Sequence, residues 1–225
     1  MRLDRYLVVR SYFTTRHKAK EAIRMGHVMV NNRIVNKPSA EVRDHDSVEV
    51  LHKERPVGYW KLKKIDEKWK LIRGGEVVLD IGSSSGGFLL HASEKASKVY
   101  GIEFSREFEP VLRRIELENE NVKIFIENAF TFDISKLEPV DLILNDLTLD
   151  ANSALKALNH FLPLLKKDGK ILFVLKTGID YVEPEFEKSL KLLDKFNSGK
   201  KKERYYLLSV IKIVIYTRYL VNFLH

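Results

Sequence analysis

The chain has 225 residues, of which 44% are hydrophobic and 31% charged, and this composition excludes a wholly disordered protein. Its net charge of +8 favours a polyanionic partner, and the absence of cysteine excludes disulfides, thiolate metal sites and cysteine nucleophiles. No apolar run reaches the ~20 residues of a membrane span, and the charged N terminus lacks a secretory signal, so we expect a cytoplasmic protein with no membrane partner.

The charge is unevenly distributed along the chain. Residues 1–55 carry a net charge of +5 and the rest carries +3, so the short N-terminal part is more basic per residue. The segment 51–60 combines charged residues with Pro56 and Gly58, a composition typical of a linker. We therefore predict a small domain over residues 1–50, a linker over 51–60 and a large domain over 61–225.

The first fifty residues predict two helices followed by a small sheet. Leu3 and Leu7 are spaced for one apolar helix face, and a second helix is predicted over residues 16–25. An Asn31-Asn32 turn between two short apolar runs predicts a hairpin, and residues 46–50 alternate like a closing strand. This order indicates a small α+β domain.

The N-terminal run resembles the S4-like RNA-binding domain through its phrase R-x-x-A-x-x-x-I-x-x-G-x-V-x-V-N, which begins at Arg16. In that family, the second helix and the turn after it face RNA. A basic helix meets nucleic acid mainly through phosphates, although a charge run alone would indicate only a solvated surface. The resemblance implies phosphate contacts by five basic residues: Arg10, Arg16, Lys18, Lys20 and Arg24.

From residue 76 onward, short apolar segments alternate with helical ones, which predicts parallel βαβ units. Strands are predicted over 76–81, 98–103, 122–126, 140–145 and 170–176, with helices between them. A further helix is predicted over 183–196, and one or two last strands over 205–216. The fold class we expect is α/β, Rossmann-like, with a mostly parallel twisted sheet.

Polar residues follow the predicted strands, at the edge where open parallel sheets bind ligands. Small residues after the first strand let a ligand approach the backbone. A dinucleotide would favour G-x-G-x-x-G, but Ser84 replaces the middle glycine and Asp80 ends the strand, which favours the cationic S-adenosylmethionine over NAD. The predicted cofactor contacts are Asp80, Gly82, Ser83, Ser84, Gly86, Gly87, Phe88, Glu103, Asn128 and Asp146.

The same segment, LDIGSSSGGF, resembles the LDxGxSTGGF motif of TlyA-type methyltransferases and the LDLGxxPGGW motif of FtsJ-type ribose methyltransferases. GYWKLKKIDEKWKLI and DLILNDL resemble two further FtsJ segments. An S4-like module ahead of an FtsJ-type domain is the TlyA arrangement. The resemblance implies methylation of ribose 2′-hydroxyls in ribosomal RNA or a ribosomal subunit. No histidine cluster has metal-ligand spacing, so we expect no metal.

The FtsJ pattern uses a Lys-Asp-Lys-Glu tetrad, which the resemblance places at Lys61, Asp146, Lys176 and Glu203. Lys176 would accept the ribose proton, and Asp146 would orient it near the methyl donor. Lys61 and Glu203 would position the ribose. Three nearby acids compete with Glu203 for the fourth position: Glu183, Glu185 and Glu187.

Two departures from the family pattern leave the target RNA open. The run that begins at Lys176 is K-T-G in place of the TlyA run K-P-Q-F-E, and the segment after Asp146, LTLDANSAL, lacks an aromatic-rich or Pro-rich loop. One alternative is a noncatalytic RNA-binding protein that keeps a methyltransferase-like fold. A base methyltransferase is the nearest alternative among enzymes, but those acting on exocyclic amines typically show an N-P-P-[YF]-like run after the fourth strand, where this chain reads NDLT. A membrane-lytic protein is suggested by the hemolysin name of TlyA relatives, but charges interrupt the late run LLSVIKIVIYTRYLVNFL, which a buried strand explains better.

Overall fold

The computed structural model describes residues 1–51, 55–176, 184–198 and 203–211. The chain divides into two compact units, Met1–Pro56 and Val57–His225. The N-terminal unit contains, in chain order, α1 (Leu3–Val9), α2 (Arg16–Arg24), β1 (Val28–Val30), β2 (Arg33–Ile34) and β3 (Val48–Val50).

The strands of the N-terminal unit form an antiparallel sheet with β1 in the centre and β2 and β3 on either side. Asn31 and Asn32 both adopt positive φ, +49° and +61°, as a two-residue turn between right-twisted strands requires. The side chain of Thr15 accepts a hydrogen bond from the Lys18 N–H and caps α2. A single apolar core lies between the helices and the sheet, and it includes Leu3, Leu7, Ala19, Ala22, Ile23 and Val28.

The larger unit is built around one seven-stranded sheet, ordered β6-β5-β4-β7-β8-β10-β9. Pairs from β6 to β8 are parallel, and the pairs β8–β10 and β10–β9 are antiparallel. Its elements are α3 (Val57–Trp69), β4 (Val77–Ile81), α4 (Gly87–Ser93), β5 (Lys98–Glu103), α5 (Glu109–Glu118), β6 (Val122–Ile126), β7 (Val140–Asn145), α6 (Ala151–Phe161), β8 (Leu165–Lys176), β9 (Leu190–Asn197) and β10 (Glu203–Val210).

Helices cover both faces of this sheet, which explains why β4 is buried along its whole length and β7 at every position except Asp141. One core packs α3, α4 and α5 against strand residues such as Val78 and Leu142. The other packs α6 against residues of opposite parity, such as Leu79 and Ile143. The predicted α/β fold with a mostly parallel sheet is therefore confirmed.

The structure differs from the prediction in where the linker ends and in the type of one element. Residues 57–60, predicted as linker, form the first turn of α3, because Tyr59 and Leu62 begin its buried face. The predicted helix over 183–196 is instead strand β9 over its described second half, although the spacing of Phe186, Leu190 and Leu193 suits a helix. Pairing with β10 satisfies the backbone of this segment, and such tertiary pairing overrides local propensity.

Within the residues that the structure describes, the longest helix is the 13-residue α3, and none is long and apolar enough to cross a membrane. The apolar run that suggested a membrane-lytic protein begins in β10, where Leu207 and Leu208 are buried in the sheet. Residues 212–225, which include most of that run, lie outside the described residues.

Gly87 allows α3 and α4 to pack at backbone distance. A Cβ at this position would lie 2.5 Å from the Tyr59 nitrogen and 2.7 Å from the Gly58 Cα, and these backbone atoms cannot rotate away. We expect Gly87→Ala to destabilise the protein by about 2 kcal/mol, because the overpacking outweighs the better helix propensity of alanine. Gly58→Ala is the control, since Gly58 has no positive φ and a Cβ there would lie 3.4 Å or more from its neighbours. Equal melting temperatures for the two variants would contradict the packing argument.

Candidate active site

The carboxyl ends of the central strands meet at one edge of the sheet. Strand β4 lies between β5 and β7, and Asp80 is in register with Gly101 on one side and Leu144 on the other. The chain order reverses at this point, since β5 and β6 extend to one side and β7 and β8 to the other. Open α/β sheets bind ligands in the crevice at such a switch point.

Three of the four predicted catalytic side chains are in direct contact at this edge. The ammonium group of Lys61 lies 2.5 Å from Asp146 Oδ2 and 3.2 Å from Glu203 Oε1. Their side chains are only 10%, 16% and 12% exposed. Burial raises the pKa of Asp146, although the neighbouring Lys61 and Lys176 oppose this increase. The Coulomb attraction within an ion pair so shielded from water is stronger than within a surface pair, although burying the two charges costs free energy.

Secondary structure brings these three residues together from distant parts of the chain. Lys61 is carried by α3, which a buried carboxylate fixes to α4: Asp66 accepts a hydrogen bond from the Ile72 N–H, and His91 Nε2 lies 3.2 Å from its other oxygen. Asp146 follows the last residue of β7. Glu203 begins β10. Because both carboxylates are attached to the sheet, the position of α3 decides whether Lys61 can reach them.

The fourth predicted residue, Lys176, lies beside this triad. It ends β8 directly opposite Glu203 in the antiparallel pair with β10, so both side chains project on the same face. Lys176 is exposed and its ammonium group donates to the hydroxyl of Thr148. The structure thus places all four members of the predicted tetrad at one edge of the sheet.

The acids that competed with Glu203 are placed elsewhere where the structure describes them. Glu187 accepts a hydrogen bond from the side-chain amide of Asn159 on α6, 2.6 Å away. Glu185 is exposed, and Glu183 lies outside the described residues. Of the described candidates, Glu203 is the one that contacts Lys61.

Asp80 is a buried carboxyl whose two oxygens have no hydrogen-bond partner among the described residues. It is 1% exposed, and burial, together with the charges of Asp146 and Glu103, raises its pKa to about 8. An unpaired buried carboxylate is costly, so this group favours its protonated form when alone and can ionise when a cationic ligand pairs with it. The α-ammonium and sulfonium groups of S-adenosylmethionine are cations of this kind.

The loop after β4 is shaped by packing as well as by ligand access. Gly86 has φ +78°, and a Cβ there would lie 2.1 Å from Ile115 Cδ1 of α5. Together with the α3–α4 contact at Gly87, this shows that both glycines are required by helix packing. Protein atoms therefore fill the space in which a side chain at either glycine would lie, whereas contact of a cofactor with their backbone stays a prediction. Gly82 has φ +84° and faces the flexible side chain of Leu147.

The remaining predicted cofactor residues occupy different surroundings. Glu103 accepts hydrogen bonds of 2.7 Å from the Ser84 and Ser105 N–H groups, which fixes its carboxylate at the end of β5. The Ser83 hydroxyl donates to the Asp80 carbonyl, 3.3 Å away. Phe88 is buried with its ring 5.6 Å from the Lys61 ammonium group. Asn128 is exposed after the carboxyl end of β6, the outermost parallel strand, and accepts a hydrogen bond from the Phe130 N–H.

Tyr205 is a site residue that the sequence analysis missed. Its hydroxyl donates to Glu203 Oε2 at 2.8 Å, while the other oxygen of that carboxylate faces Lys61. Burial and the neighbouring Glu203 raise the pKa of Tyr205, so the phenol stays protonated and available as a donor. The signal was present in the sequence, because residues two apart in a strand project to the same side.

We expect Tyr205→Phe to lower kcat about fivefold with little change in KM, since one hydrogen bond that orients Glu203 is worth about 1 kcal/mol. Tyr100→Phe is a matched control, because Tyr100 also donates to a glutamate, Glu138, but away from the site. Steady-state methyl transfer and thermal unfolding of both variants measure the effect. An equal loss of kcat in both would show a general structural effect instead.

In the N-terminal unit, the predicted phosphate contacts divide into two groups. Arg16 lies 2.8 Å from the fully buried Asp4, and Lys20 lies 4.0 Å from it. Burial of Asp4 opposes its ionisation, but Arg2 and Arg16 outweigh it and hold its pKa at about 2. Arg16 therefore has a structural ion pair that the sequence analysis did not foresee.

The other three predicted contacts project from the surface. Lys18 and Arg24 are exposed on α2, and the Arg10 guanidinium lies 5.6 Å from the Tyr6 ring centroid. An exposed basic side chain can approach a phosphate without giving up a buried partner. These three residues are the better candidates for contacts with a nucleic acid.

Comparison with known proteins agrees with this architecture. The model of the FtsJ-like methyltransferase family matches residues 55–206, and the S4 domain model matches residues 1–48. Hemolysin A of Brachyspira hyodysenteriae is 29% identical over 193 residues, which cover 83% of this chain and 75% of that protein. Ribosomal RNA large subunit methyltransferase E of Wolbachia sp. subsp. Brugia malayi is 26% identical over 164 residues, covering 70% and 67%.

Other alignments are shorter, and those with three further relatives span 39%, 36% and 46% of the relatives' own lengths. Among solved structures, fibrillarin of Aeropyrum pernix, in complex with S-adenosyl-L-methionine, has a TM-score of 0.54 at 17% identity, over 74% of this chain and 80% of that chain. This likeness shows a shared fold. Because its family model matches more than half of the residues, the chain belongs to the FtsJ-like methyltransferase family, and it carries an S4 domain at its N terminus.

Proposed function

We propose that this protein is an S-adenosylmethionine-dependent RNA methyltransferase that acts on a ribose 2′-hydroxyl of ribosomal RNA or a ribosomal subunit. The observation that carries the proposal is the contact of Lys61 with Asp146 and Glu203, with Lys176 alongside, at the ligand-binding edge of the sheet. Family membership and the name of the Wolbachia relative, a ribosomal RNA methyltransferase, support it.

Asp80, Glu103 and the loop between them are the residues that would hold the cofactor. Asp80 offers a buried carboxyl without a partner in the described chain, and it suits an ammonium group. Glu103 retains a second acceptor site on each oxygen after its two backbone bonds, and it suits a ribose diol. S-adenosylmethionine, when bound, would supply an electrophilic methyl group, and the electron pair of the broken S–CH₃ bond would stay on its sulfur.

The reaction asks the protein to align a ribose hydroxyl and remove its proton. Lys61 is already engaged by two carboxylates, whereas the described partner of Lys176 is the neutral hydroxyl of Thr148. Lys176, acting as the neutral amine, is therefore the better group to accept the ribose proton as the new O–CH₃ bond forms. Lys61, held by Asp146 and Glu203, fixes the geometry, and positioning is expected to supply much of the rate.

The N-terminal unit would supply much of the affinity for RNA. Each contact with a phosphate of single-stranded RNA adds about 0.7 to the steepness with which the logarithm of the binding constant falls with the logarithm of the salt concentration. We expect a Lys18→Ala/Arg24→Ala double variant to bind RNA more weakly and to lose ~1.4 from that slope. Filter binding across a salt series measures it. Lys37→Ala, an exposed basic residue outside α2, is the control, and an unchanged slope in the double variant would exclude these contacts.

The first test of the proposed function is calorimetric titration of the protein with S-adenosylmethionine, with NAD as the control ligand. We expect micromolar affinity for S-adenosylmethionine and no heat with NAD. A folded sample that binds RNA but not S-adenosylmethionine would instead identify a noncatalytic RNA-binding protein. Methyl transfer to the exocyclic amine of a base would identify a base methyltransferase.

A further inference from the structure

Trp60 is an exposed aromatic side chain next to Lys61. It is 56% exposed, whereas the other tryptophan, Trp69, is 9% exposed and donates to Asp194 at 2.8 Å. Across the described parts of the chain, the Trp60 indole N–H has no hydrogen-bond partner. The core therefore does not account for Trp60, although its backbone lies one residue from the proposed active site.

One lysine lies over this ring, and a second is exposed on the same helix. The Lys63 ammonium group lies 5.3 Å from the Trp60 ring centroid, and Lys64 is exposed one turn further along the same helix face. Neither lysine lies within 4.0 Å of a carboxylate in residues 55–176, 184–198 and 203–211. By contrast, Lys68, near the end of α3, contacts Asp194 and the Phe196 ring, so that end of the helix serves packing.

The Trp60 ring is also held in place. The ring of Tyr59, which is buried, meets it edge-on with the centroids 5.0 Å apart. Tyr59 itself is fixed because its hydroxyl donates a hydrogen bond to Glu94, the residue that follows α4. An indole supported in this way loses little conformational freedom when a flat ligand stacks on it.

We propose that Trp60, Lys63 and Lys64, here called the α3 platform, bind single-stranded RNA beside the active site, with a nucleobase stacked on the indole and phosphates near the lysines. Stacking on an aromatic ring and pairing of phosphates with lysines are the two interactions that single strands offer regardless of sequence. The inference deepens the proposed function, on which it rests, because it names how a nucleotide is held next to Lys61.

The occupant is RNA and not an apolar partner, because the platform combines one aromatic ring with two lysines and no further large apolar side chain except Val57 at the start of α3. An apolar protein partner would require a wider hydrophobic patch. Phosphates complement the charge of Lys63 and Lys64, and a base complements the exposed face of the indole.

The test uses the two tryptophans of the full-length protein as reporters. A single-stranded RNA of mixed sequence should quench the fluorescence of the wild-type protein, because a stacked base quenches an exposed indole. Trp60→Phe leaves Trp69 as the emitter and should show little quenching. Trp60→Ala should bind the RNA at least about fivefold more weakly, since loss of one stacked base has an effect of this size or larger, and Trp60→Tyr should restore binding.

Equal quenching in Trp60→Phe and the wild type, or unchanged affinity in Trp60→Ala, would overturn the platform. Leu117→Ala, which truncates an exposed apolar side chain on α5, controls for general surface effects. Methyl transfer is measured separately. Quenching at Trp60 without methyl transfer would leave the platform standing and reject the proposed function, whereas methyl transfer with an unchanged RNA affinity in Trp60→Ala would do the reverse.

Discussion

Lys176→Ala is expected to lower methyl transfer about 10³-fold while the affinity for S-adenosylmethionine changes less than about threefold. The reason is that Lys176 stands beside the triad with a neutral described partner, Thr148, whereas Lys61 is engaged by two carboxylates. Single-turnover transfer from labelled cofactor measures the chemical step. Isothermal titration of the same samples measures cofactor binding.

Two further variants separate the roles that Lys176 could have. Lys176→Arg keeps the positive charge but cannot act as a base, because a guanidinium is not deprotonated in proteins. We expect it to be as inactive as Lys176→Ala. Lys167→Ala removes an exposed lysine from the other end of the same strand and should be fully active. An active Lys176→Arg enzyme would show that charge, and not proton transfer, is what Lys176 contributes.

Asp80→Asn should weaken S-adenosylmethionine binding about 30-fold or more, because loss of one partner of a buried charge pair costs ~2 kcal/mol at least. The wild-type affinity should also rise with pH below about 8, because the buried carboxyl, whose pKa is raised to about 8, must lose its proton to pair with an ammonium group. Titration calorimetry across this pH range measures both effects. A variant that binds the cofactor within about threefold of wild type would remove Asp80 from the site.

The same substitution should stabilise the protein in the absence of a ligand. The carboxyl of Asp80 ionises near 3.8 in the unfolded chain and near 8 in the folded protein, so the folded state binds more protons between these values and loses stability as the pH rises through them. Asparagine removes this loss, so the gain in melting temperature should grow from about pH 5 to about pH 8. Asp168→Asn, at an exposed acid, should show no such trend.

The sequence alone was sufficient to predict where three strands of the central sheet begin and end. The strands predicted over 98–103, 122–126 and 140–145 have the bounds observed for β5, β6 and β7. Apolar runs that end in a polar residue are a local signal, and parallel order then brings their carboxyl ends to one edge. Asp80, Glu103 and Asp146 could be placed at that edge for this reason.

Contacts set by long-range packing could not be predicted in the same way. The partnership of Lys61 with Glu203, which only the family resemblance implied, spans 142 residues and depends on how α3 packs and how β10 pairs with β8. The pairing of β9 with β10 overrode a helical pattern, and the role of Gly87 is visible only with α3 in place. Similarly, the ion pair of Arg16 with the buried Asp4 depends on how the N-terminal unit folds, and no local pattern predicts it.

The central claim, methylation of a ribose hydroxyl in RNA, is tested most directly by the alkali resistance of the product. Ribosomal RNA or ribosomal subunits are incubated with the protein and methyl-labelled S-adenosylmethionine, and the RNA is then hydrolysed with alkali. A 2′-O-methyl group blocks cleavage of the adjacent phosphodiester bond, so we predict that the label appears in alkali-resistant dinucleotides and is absent with Lys176→Ala. Label confined to mononucleotides, or no label with protein that binds the cofactor, would contradict the account.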